Sequence, residues 1–451
     1  MEKMETTGRD KIAGLFDEGT FVELGAYVRR DEDLDGVLCG YGAMEGKLVY
    51  AFWQDNGRKL GAMDAYGAKK IGRLYELAIS NGAPVVGVFD SAGAVIYDGT
   101  EAMSAYGTLL SCAARASGVI PQIALIWGTC AGMAAAAAAL FDFAVTIRDK
   151  SALYVGSPFL IGDKTGTSEA AAAIGLGAKE CATGEEAIAF VRKLADFLPS
   201  HNADTYPDFS EEQDDVNRPV SIDGLRGAQL LDALCDNGKY LSLYDSYGTD
   251  VLTAFARIGG ERVAVVACAN EGKITPQVAR KTARFVGFAD SYSIPVLTLV
   301  DSVGTVADEK AEAAPFASEL GKMARAYAEA STPKITVYTG RAYGAGFVLY
   351  GSRTLGADLL LALPGATFGV LSPEASVAFA MQDELNAGKS REELIRVWTE
   401  TRADAASAAA HGDVDDILQP EQLRQRICAG LYMLSDKGRA AAGKKHGNMP
   451  L

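Results

Sequence analysis

The stretch IALIWGTCAGMAAAAAAL occupies residues 123–140, and ITVYTGRAYGAGFVLYG occupies residues 335–351. In each stretch, an apolar run typical of a buried strand leads into closely spaced glycines, and a further apolar segment suited to a helix follows. Glycine permits the tight turn that would carry the chain off a strand. Both stretches therefore predict a strand, a glycine turn and a helix, in that order.

These two stretches belong to a larger internal repeat. Residues 82–93, which end in Asp-Ser-Ala-Gly, align with residues 293–304, which end in Asp-Ser-Val-Gly. About forty residues later, residues 121–134 align with residues 333–346. Because the order and the spacing of the matching segments are kept, the chain is predicted to be an internal duplication.

Strand-like and helix-like segments alternate within each half. Apolar runs of strand length are separated by helical patterns at residues 65–81, 102–117 and 277–292. This alternation predicts an α/β fold with a largely buried sheet in each half. Residues 199–219 are acidic, contain proline and are poor in apolar residues, as is typical of a linker. We therefore expect two domains, at residues 1–205 and 206–451.

Composition excludes several classes of function. The chain has 451 residues and a formal net charge of −15, which disfavours nonspecific binding of nucleic acid. No apolar run approaches the roughly 20 residues of a membrane-spanning helix, and the charged start lacks an apolar export signal, so a cytoplasmic location is expected. The seven cysteines show no CxxC spacing and there are three histidines, so reduced thiols and no metal site are expected.

The glycine turns are candidate sites for stabilising negative charge. The start of a helix leaves backbone N–H groups without intrahelical acceptors and carries the positive end of the helix dipole, which suits an oxyanion. The candidate donors are the amides of Gly132 and Met133 in the first half, and those of Gly344 and Ala345 in the second. Close packing of a helix on a sheet is the alternative reading of each turn, and it explains the alanine run 134–139.

Two further features lie near these turns. The Asp-Ser-x-Gly segments begin at Asp90 and Asp301, at predicted carboxyl ends of strands, where α/β sheets bind ligands. The aspartates are candidate catalytic acids or bases, and the structural alternative is that they cap the turn and hold its amides. The amides of Gly93 or Ala94 are candidates to hold a ligand. No histidine accompanies the serines as in a catalytic triad, which disfavours a serine hydrolase.

Basic residues form a third feature. They occur at matching places on the helices that precede the two Asp-Ser-x-Gly strands: Lys69, Lys70, Arg73, Arg280, Lys281 and Arg284. A solvated helix face explains most such runs. An acidic protein that binds a phosphorylated ligand nevertheless needs local positive charge, so these residues are candidates for that role.

At this level of detail the sequence resembles a known family. The resemblance rests on segments spread over nearly the whole chain: residues 11–24, 40–42, 117–123, 130–132, 285–295, 333–336, 342–344 and the terminal KKHGNMPL at 444–451. These segments are similar to the carboxyltransferase subunit of biotin-dependent acyl-CoA carboxylases and decarboxylases. The methylmalonyl-CoA decarboxylase alpha and propionyl-CoA carboxylase beta types are the most similar. The terminal octapeptide is the most specific of these matches.

The resemblance implies two tandem crotonase-like domains and carboxyl transfer between carrier-bound biotin and a short-chain acyl-CoA, without a metal. The first domain would hold the acyl-CoA and the second the biotin, each with one pair of oxyanion donors. The implied acyl-CoA-binding residues are Ala92, Gly93, Ala94, Lys69, Lys70 and Gly156, and the implied biotin-binding residues are Gly304, Tyr343 and Gly346.

The resemblance also implies partner proteins. The chain has no Met-Lys-Met biotinylation sequence and no glycine-rich ATP-binding module, so a biotin carboxyl carrier protein is expected as a separate partner. Either a biotin carboxylase or membrane decarboxylase subunits would complete the system, and peripheral association with such a membrane complex is an option. Sites shared between subunits imply an oligomer, homomeric or heteromeric, typically a hexamer.

The chain departs from the family pattern near the expected ligands. Ala92 and Met133 stand where the family has glycine, and the loop after Asp301 lacks the family's Pro-Gly-Phe. These departures motivate an alternative: a non-catalytic or half-active paralogue that assembles with a complete carboxyltransferase. A third reading is another crotonase-like reaction on a CoA ester, although no Glu lies beside Gly132 or Gly344 in the sequence.

Overall fold

The computed structural model describes residues 8–30, 33–34, 36–162, 165–204, 214–313 and 315–437. The terminal octapeptide therefore lies outside the described residues. The described chain divides into two compact units, residues 8–204 and residues 214–437. No helix or strand occurs at 199–204 or 214–219, the described parts of the predicted linker.

The strands of the first unit are β1 (Val22–Leu24), β2 (Arg29–Arg30), β3 (Asp33–Leu34), β4 (Val37–Met44), β5 (Lys47–Gln54), β6 (Val85–Phe89), β7 (Gln122–Ile126), β8 (Thr129–Ala131), β9 (Phe143–Ile147), β10 (Ala152–Tyr154) and β11 (Lys179–Cys181). Its α-helices are α1 (Gly8–Ala13), α2 (Ala65–Asn81), α3 (Thr100–Ala116), α4 (Met133–Leu140), α5 (Pro158–Ile161), α6 (Ser168–Ala173) and α7 (Gly184–Phe197). Short 3-10 turns occur at Lys59–Gly61 and Ile96–Asp98.

A seven-stranded sheet in the order β1-β4-β5-β6-β7-β9-β11 forms the centre of the first unit. Its first three strands are antiparallel, and each pair from β5 onward is parallel. Every residue of β6, β7 and β9 is buried, as the continuous apolar runs predict for a sheet covered on both faces. A separate parallel pair, β8 with β10, carries the glycine turn.

The strands of the second unit are β12 (Tyr240–Leu243), β13 (Val251–Ile258), β14 (Glu261–Cys268), β15 (Lys273–Ile274), β16 (Val296–Ser302), β17 (Gly304–Thr305), β18 (Lys334–Tyr343), β19 (Leu359–Ala362), β20 (Thr367–Gly369) and β21 (Asp416–Ile417). Its α-helices are α8 (Gly227–Leu234), α9 (Pro276–Ser291), α10 (Glu309–Ala313), α11 (Phe316–Glu329), α12 (Ala345–Leu349), α13 (Pro373–Ala380), α14 (Gln382–Asn386), α15 (Arg391–Trp398), α16 (Ala405–Ala410) and α17 (Leu423–Met433). Its 3-10 turns are Asp236–Gly238, Arg353–Leu355 and Pro420–Gln422, and a π-helical turn spans Thr399–Ala403.

The second unit repeats the topology of the first. Its sheet has the order β12-β13-β14-β16-β18-β19-β21, again with three antiparallel strands followed by parallel ones, and β20 pairs with β18. The short parallel pair β15 with β17 is added. Where the first unit has separate strands β7 and β8, the single long strand β18 continues into the second turn. The predicted α/β duplication is confirmed.

The helix predicted at residues 65–81 agrees with α2 at both ends. Asp64 precedes it and its side chain accepts a hydrogen bond from the Gly67 amide at 2.8 Å, as an N-cap does. Gly82 follows it with a φ of +60°, the left-handed conformation that commonly ends a helix. The predictions at 102–117 and 277–292 agree with α3 and α9 to within two residues at each end.

Candidate functional site

The first glycine turn lies between β8 and α4. Gly132 has a φ of +60° and a ψ of −122°, a conformation that a residue with a side chain rarely adopts, although a Cβ there would meet no atom within 4 Å. Glycine is therefore needed for the backbone angle and not for space. Met133 is the first residue of α4, and its side chain is 43% exposed.

The second glycine turn has the same geometry. Gly344 has a φ of +50° and a ψ of −119°, and Ala345 is the first residue of α12. Here a Cβ would approach the carbonyl oxygen of Val370 to 3.2 Å, so space as well as backbone angle favours glycine. The duplication thus extends to the backbone conformation of the two turns.

The hydrogen bonds at the turns correct one expectation about the donors. The Gly132 amide donates to the carbonyl of Tyr154 at 2.9 Å, and the Gly344 amide donates to the carbonyl of Gly369 at 2.9 Å. Pairing with the neighbouring strand therefore already uses both glycine amides. Met133 and Ala345 are first helical residues, whose amides have no intrahelical acceptor, and these two remain as candidate donors.

The Asp-Ser-x-Gly turns are stabilised by their own serines. The Ser91 hydroxyl accepts a hydrogen bond from the Gly93 amide at 3.0 Å, and Ser302 accepts one from Gly304 at 3.1 Å. Both serines are buried. Asp301 holds a backbone amide of β18 instead of one in its own turn, because its Oδ1 accepts from the Arg341 N–H at 2.9 Å. These contacts give the serines structural roles in their turns, while Asp301 joins the end of β16 to β18.

Asp90 occupies the matching place in the first unit. A Cβ on Gly128 would lie 2.0 Å from Asp90 Oδ1, so glycine makes room for the carboxyl group there. Burial raises the pKa of Asp90, and the hydrogen bond from the Thr129 amide and the charge of Lys150 oppose this rise only in part.

A cavity of about 620 Å³ lies beside the second turn. Its lining brings together Gly304, Tyr343, Gly344 and Ala345, all of which the sequence suggested. The Tyr343 hydroxyl is 2.8 Å from the hydroxyl of Thr367, and burial raises the pKa of Tyr343. Sequence reasoning missed seven further lining residues: Val303, Thr305, Arg341, Val370, Leu371, Ser372 and Glu374.

Gly346 was predicted to bind biotin. It is buried and does not line the cavity, and a Cβ there would come within 2.6 Å of Ser302 Oγ. The small residue is required because α12 packs closely against the Asp-Ser-x-Gly turn. Close packing therefore explains the missing side chain at Gly346, and its contact with biotin stays a prediction.

The predicted residues of the first unit lie on three segments. The Ala92 amide donates to the carbonyl of Leu60 at 2.9 Å, and the Gly93 carbonyl accepts from the Met63 amide at 2.9 Å. Ala94 pairs with Met63 as an isolated parallel bridge. Gly156 is exposed two residues after Tyr154, the residue that accepts the Gly132 amide, so β10 brings it close to the first glycine turn.

The two predicted acyl-CoA-binding lysines differ. Lys69 is exposed, whereas Lys70 is 7% exposed and its ammonium group donates to the carbonyl of Val37. Lys281, the equivalent of Lys70, is 1% exposed and donates to the carbonyls of Tyr244, Tyr247 and Val251. Burial and the Val37 carbonyl thus argue against the phosphate-binding role predicted for Lys70. Lys69 stays a candidate.

Neither a membrane span nor a metal cluster is found in the described part of the chain. None of the helices there is long and apolar enough to cross a membrane. No group of three or more His, Cys, Asp or Glu side chains in those same ranges has the arrangement of a metal site. All seven cysteines are buried and free of disulfide bonds.

The duplicated sheet and its two glycine turns define a class of protein, the enzymes with tandem crotonase-like domains. Residues 2–449 match the family model described as the carboxyl transferase domain. The chain belongs to this family, and the prediction of an acyl-CoA carboxyltransferase is confirmed at the level of the family.

Relatives with curated names support this assignment. The chain is 34% identical to methylmalonyl-CoA decarboxylase subunit alpha of Propionigenium modestum, over 99% of this chain and 93% of that one. It is 35% identical to the propionyl-CoA carboxylase beta chain of Saccharopolyspora erythraea, over 100% and 91% of the two chains.

A solved structure agrees in fold. The hexameric transcarboxylase 12S, crystallised with methylmalonyl-coenzyme A and methylmalonic acid, superposes with a TM-score of 0.91 at 32% identity. The match covers 99% of this chain and 93% of that one. The expected crotonase-like carboxyltransferase fold is thereby confirmed.

Proposed function

We propose that the protein transfers a carboxyl group between biotin on a separate carrier protein and a short-chain acyl-CoA, with propionyl-CoA and methylmalonyl-CoA as the expected pair. The observation that carries this proposal is the repeated turn, which leaves one helix-start amide available in each unit, at Met133 and at Ala345. Two reacting partners that each develop a negatively charged oxygen require two such sites. The names of the relatives supply the acyl group.

The first unit is proposed to hold the thioester. The Met133 amide, at the positive end of α4, would donate to the thioester oxygen as negative charge develops there. Ala94 is the proposed second donor. The hydrogen bonds of its bridge to Met63 are made by the Gly93 carbonyl and the Val95 amide, so the Ala94 N–H points away from Met63. Lys69 is retained as a contact for CoA phosphate.

The second unit is proposed to hold the biotin ring. Its cavity of about 620 Å³ is in the range of small-molecule sites, and Val303, Val370 and Leu371 supply apolar surface for a ring. Biotin would supply the carboxyl group to be transferred, carried on a ureido nitrogen. The Ala345 amide would donate to the ureido oxygen, and Tyr343 would border the ring.

Thr305 is the proposed second donor in this cavity. The Ile274 carbonyl accepts from the Val306 amide at 3.0 Å, and Thr305 itself pairs in register with Ile274. In this pattern the Thr305 N–H points away from Ile274, and Thr305 lines the cavity. Thr305 thus corresponds to Ala94 of the first unit.

Carboxyl transfer is the test of this proposal. Purified protein is incubated with free biotin or a biotinylated carrier and radiolabelled methylmalonyl-CoA, and label on biotin is measured. Met133→Pro deletes one amide hydrogen at a first helical position, where proline fits, and we expect kcat to fall about 100- to 1000-fold. Met133→Ala keeps the amide and is the matched control, with a rate near that of the unchanged protein.

The outcomes separate the alternatives. No transfer by the protein alone, but transfer after adding a complete carboxyltransferase chain, would replace this proposal with the half-active paralogue. Turnover of the CoA ester without biotin would favour another crotonase-like reaction. Equal loss of rate in the Pro and Ala variants would remove Met133 N–H from the mechanism.

A further inference from the structure

Two arginines surround Asp301 at the end of β16. Arg226 Nε lies 2.5 Å from Asp301 Oδ2, and Arg341 Nε lies 2.7 Å from Asp301 Oδ1. The aspartate is 6% exposed and also accepts the Arg341 backbone amide. One buried carboxylate therefore fixes the orientation of two guanidinium groups, and the three side chains carry a net charge of +1.

One nitrogen of this cluster has no acceptor. Arg341 Nη2 is buried and makes no hydrogen bond within the described part of the chain. A buried donor without an acceptor costs roughly 1–3 kcal/mol, and more for a charged group, so such groups call for an explanation. Guanidinium keeps its charge at all ordinary pH values and matches planar carboxylates with two parallel N–H groups.

The first unit shows that the fold does not require these arginines. Asp90 occupies the position of Asp301, and Thr129 occupies that of Arg341. Asn56 Nδ2 contacts Asp90 Oδ1 at 3.5 Å, and no arginine pairs with Asp90 in the described residues. Because the same turn forms without the arginine pair, the pair serves something other than the turn.

The position of Arg341 connects the pair to the site. Arg341 lines the large cavity beside Ala345 and also a second cavity of about 150 Å³, whose lining includes Arg226 and Asp301. This smaller space is below the roughly 300 Å³ of sites for drug-sized ligands. Backbone and small polar groups complete it, including Gly340 and Thr367. Its size and positive charge suit a small planar anion.

We propose that Arg341, oriented by Asp301 and assisted by Arg226, binds a carboxylate or bicarbonate anion, and that in the reaction this anion is the carboxyl group carried by biotin. The second half of this assignment rests on the proposed function, whereas the anion binding does not. Arg341 is a specificity-determining residue in this view. It binds the group by charge and hydrogen bonds and makes no covalent bond.

Direct binding tests the anion site without biotin or CoA. Sodium bicarbonate and sodium formate are titrated into the full chain at constant ionic strength, and binding is followed by calorimetry and by 13C line broadening of labelled bicarbonate. Arg341→Thr introduces the residue type found at Thr129, and we expect at least tenfold weaker binding of both anions. Arg325→Thr is the matched control, because it removes an arginine that forms an exposed ion pair with Glu329. This variant should bind both anions as the unchanged protein does.

Thermal unfolding verifies that Arg341→Thr remains folded, and Arg341→Lys supplies a second variant with the charge but without the planar fork. Intermediate binding by Arg341→Lys is expected. Equal anion binding by the unchanged protein and both Arg341 variants would overturn the site.

Kinetics distinguish the source of the anion. With carboxylated biotin as donor, Arg341→Thr should raise KM for that donor at least tenfold and leave KM for the acyl-CoA unchanged. Weaker bicarbonate binding with an unchanged KM for carboxylated biotin would overturn the assignment to the transferred group. Failure of the proposed function is a different result, because the unchanged protein would then show no transfer while anion binding is still measured.

Discussion

Lys281 shows how a single side chain can combine charge with burial. Its ammonium group donates to three backbone carbonyls at 2.7 to 3.0 Å, and burial lowers its pKa to about 7. Lys334 is similar, since it donates to the Tyr327 and Ala330 carbonyls and burial lowers its pKa to about 8. These lysines stabilise the fold by satisfying carbonyls and are unsuited to hold phosphate.

The lowered pKa of Lys281 predicts a pH dependence of stability. An unfolded lysine titrates near pH 10.4, so between about pH 7 and pH 10.4 the unfolded chain binds more protons than the folded chain. The free energy of unfolding should therefore rise with pH in this window, by at most about 1.4 kcal/mol per pH unit for this one group. Urea unfolding at a series of pH values measures the slope.

The variant Lys281→Met should reduce that slope and, near pH 8, destabilise the fold by about 1–3 kcal/mol, because buried carbonyls lose their donor. The slope that remains is expected from Lys334. Lys310→Met, at an exposed position, is the control and should keep the full slope. An unchanged slope in Lys281→Met would contradict the argument.

At the scale of elements, the two units repeat a close backbone approach. A Cβ on Gly61 would lie 2.2 Å from the carbonyl oxygen of Asp90, and one on Gly272 would lie 2.1 Å from that of Asp301. Both glycines have positive φ, +63° and +62°. The segment before each helix α2 or α9 is thereby pressed against the carboxyl end of the strand that carries the aspartate.

Gly272→Ala should therefore push the end of β16 away from its position. Overpacking costs about 1–3 kcal/mol and the left-handed backbone about 1–2 kcal/mol, so we expect a loss of about 2–5 kcal/mol in the free energy of unfolding. Carboxyl transfer should fall too, because Asp301 and Thr305 follow this backbone.

Gly287→Ala in α9 is the control, and it should increase the free energy of unfolding. No atom lies within 4 Å of a Cβ there, and alanine in a helix is favoured over glycine by about 1 kcal/mol. Equal stability of the Gly272→Ala and Gly287→Ala variants in urea would refute the close-approach argument.

At the scale of the whole molecule, a buried arginine joins distant parts of the second unit. Arg424, at the start of α17, is 0% exposed. Its Nη2 lies 2.5 Å from Asp236 Oδ1 and 3.5 Å from Asp214 Oδ2, and its Nε donates to the Asp215 carbonyl at 3.2 Å. The described end of the predicted linker is thus bound to a helix more than 200 positions later in the chain.

Arg424→Met should destabilise the second unit by about 3–5 kcal/mol, because removing one partner leaves buried carboxylates without their counter-charge. Arg426→Met in the same helix breaks only a half-exposed pair with Asp416 and should cost less than about 1 kcal/mol. Calorimetric unfolding and limited proteolysis near residue 214 measure both variants. Similar losses in the two variants would contradict the special role of Arg424.

Exposed apolar side chains predict assembly. Ile96 is 87% exposed and Tyr97 is 101% exposed, as adjacent apolar side chains on the turn that follows the Asp90 segment, so we expect another subunit to cover them. We expect an oligomer, with a hexamer as the family resemblance implies, by light scattering after gel filtration. Tyr97→Glu should shift the mass downward, whereas Tyr97→Phe should not. A monomeric unchanged protein would refute the expectation.

The sequence by itself determined the duplication, the strand–turn–helix units and the bounds of α2, because repeats, apolar runs and helix caps are local properties of the chain. It also placed Met133 and Ala345 at helix starts. Only the tertiary structure decided which groups are available there.

The partners of a hydrogen-bonding group come from segments that are distant in sequence. The carbonyls of Tyr154 and Gly369 accept hydrogen bonds from the amides of the two turn glycines, and the Val37 carbonyl accepts one from the Lys70 ammonium group. Arg226 and Arg341 meet at Asp301 from segments 115 positions apart, the difference between 341 and 226. No sequence pattern predicts these contacts, because they depend on how the parallel strands align their carboxyl ends in the folded chain.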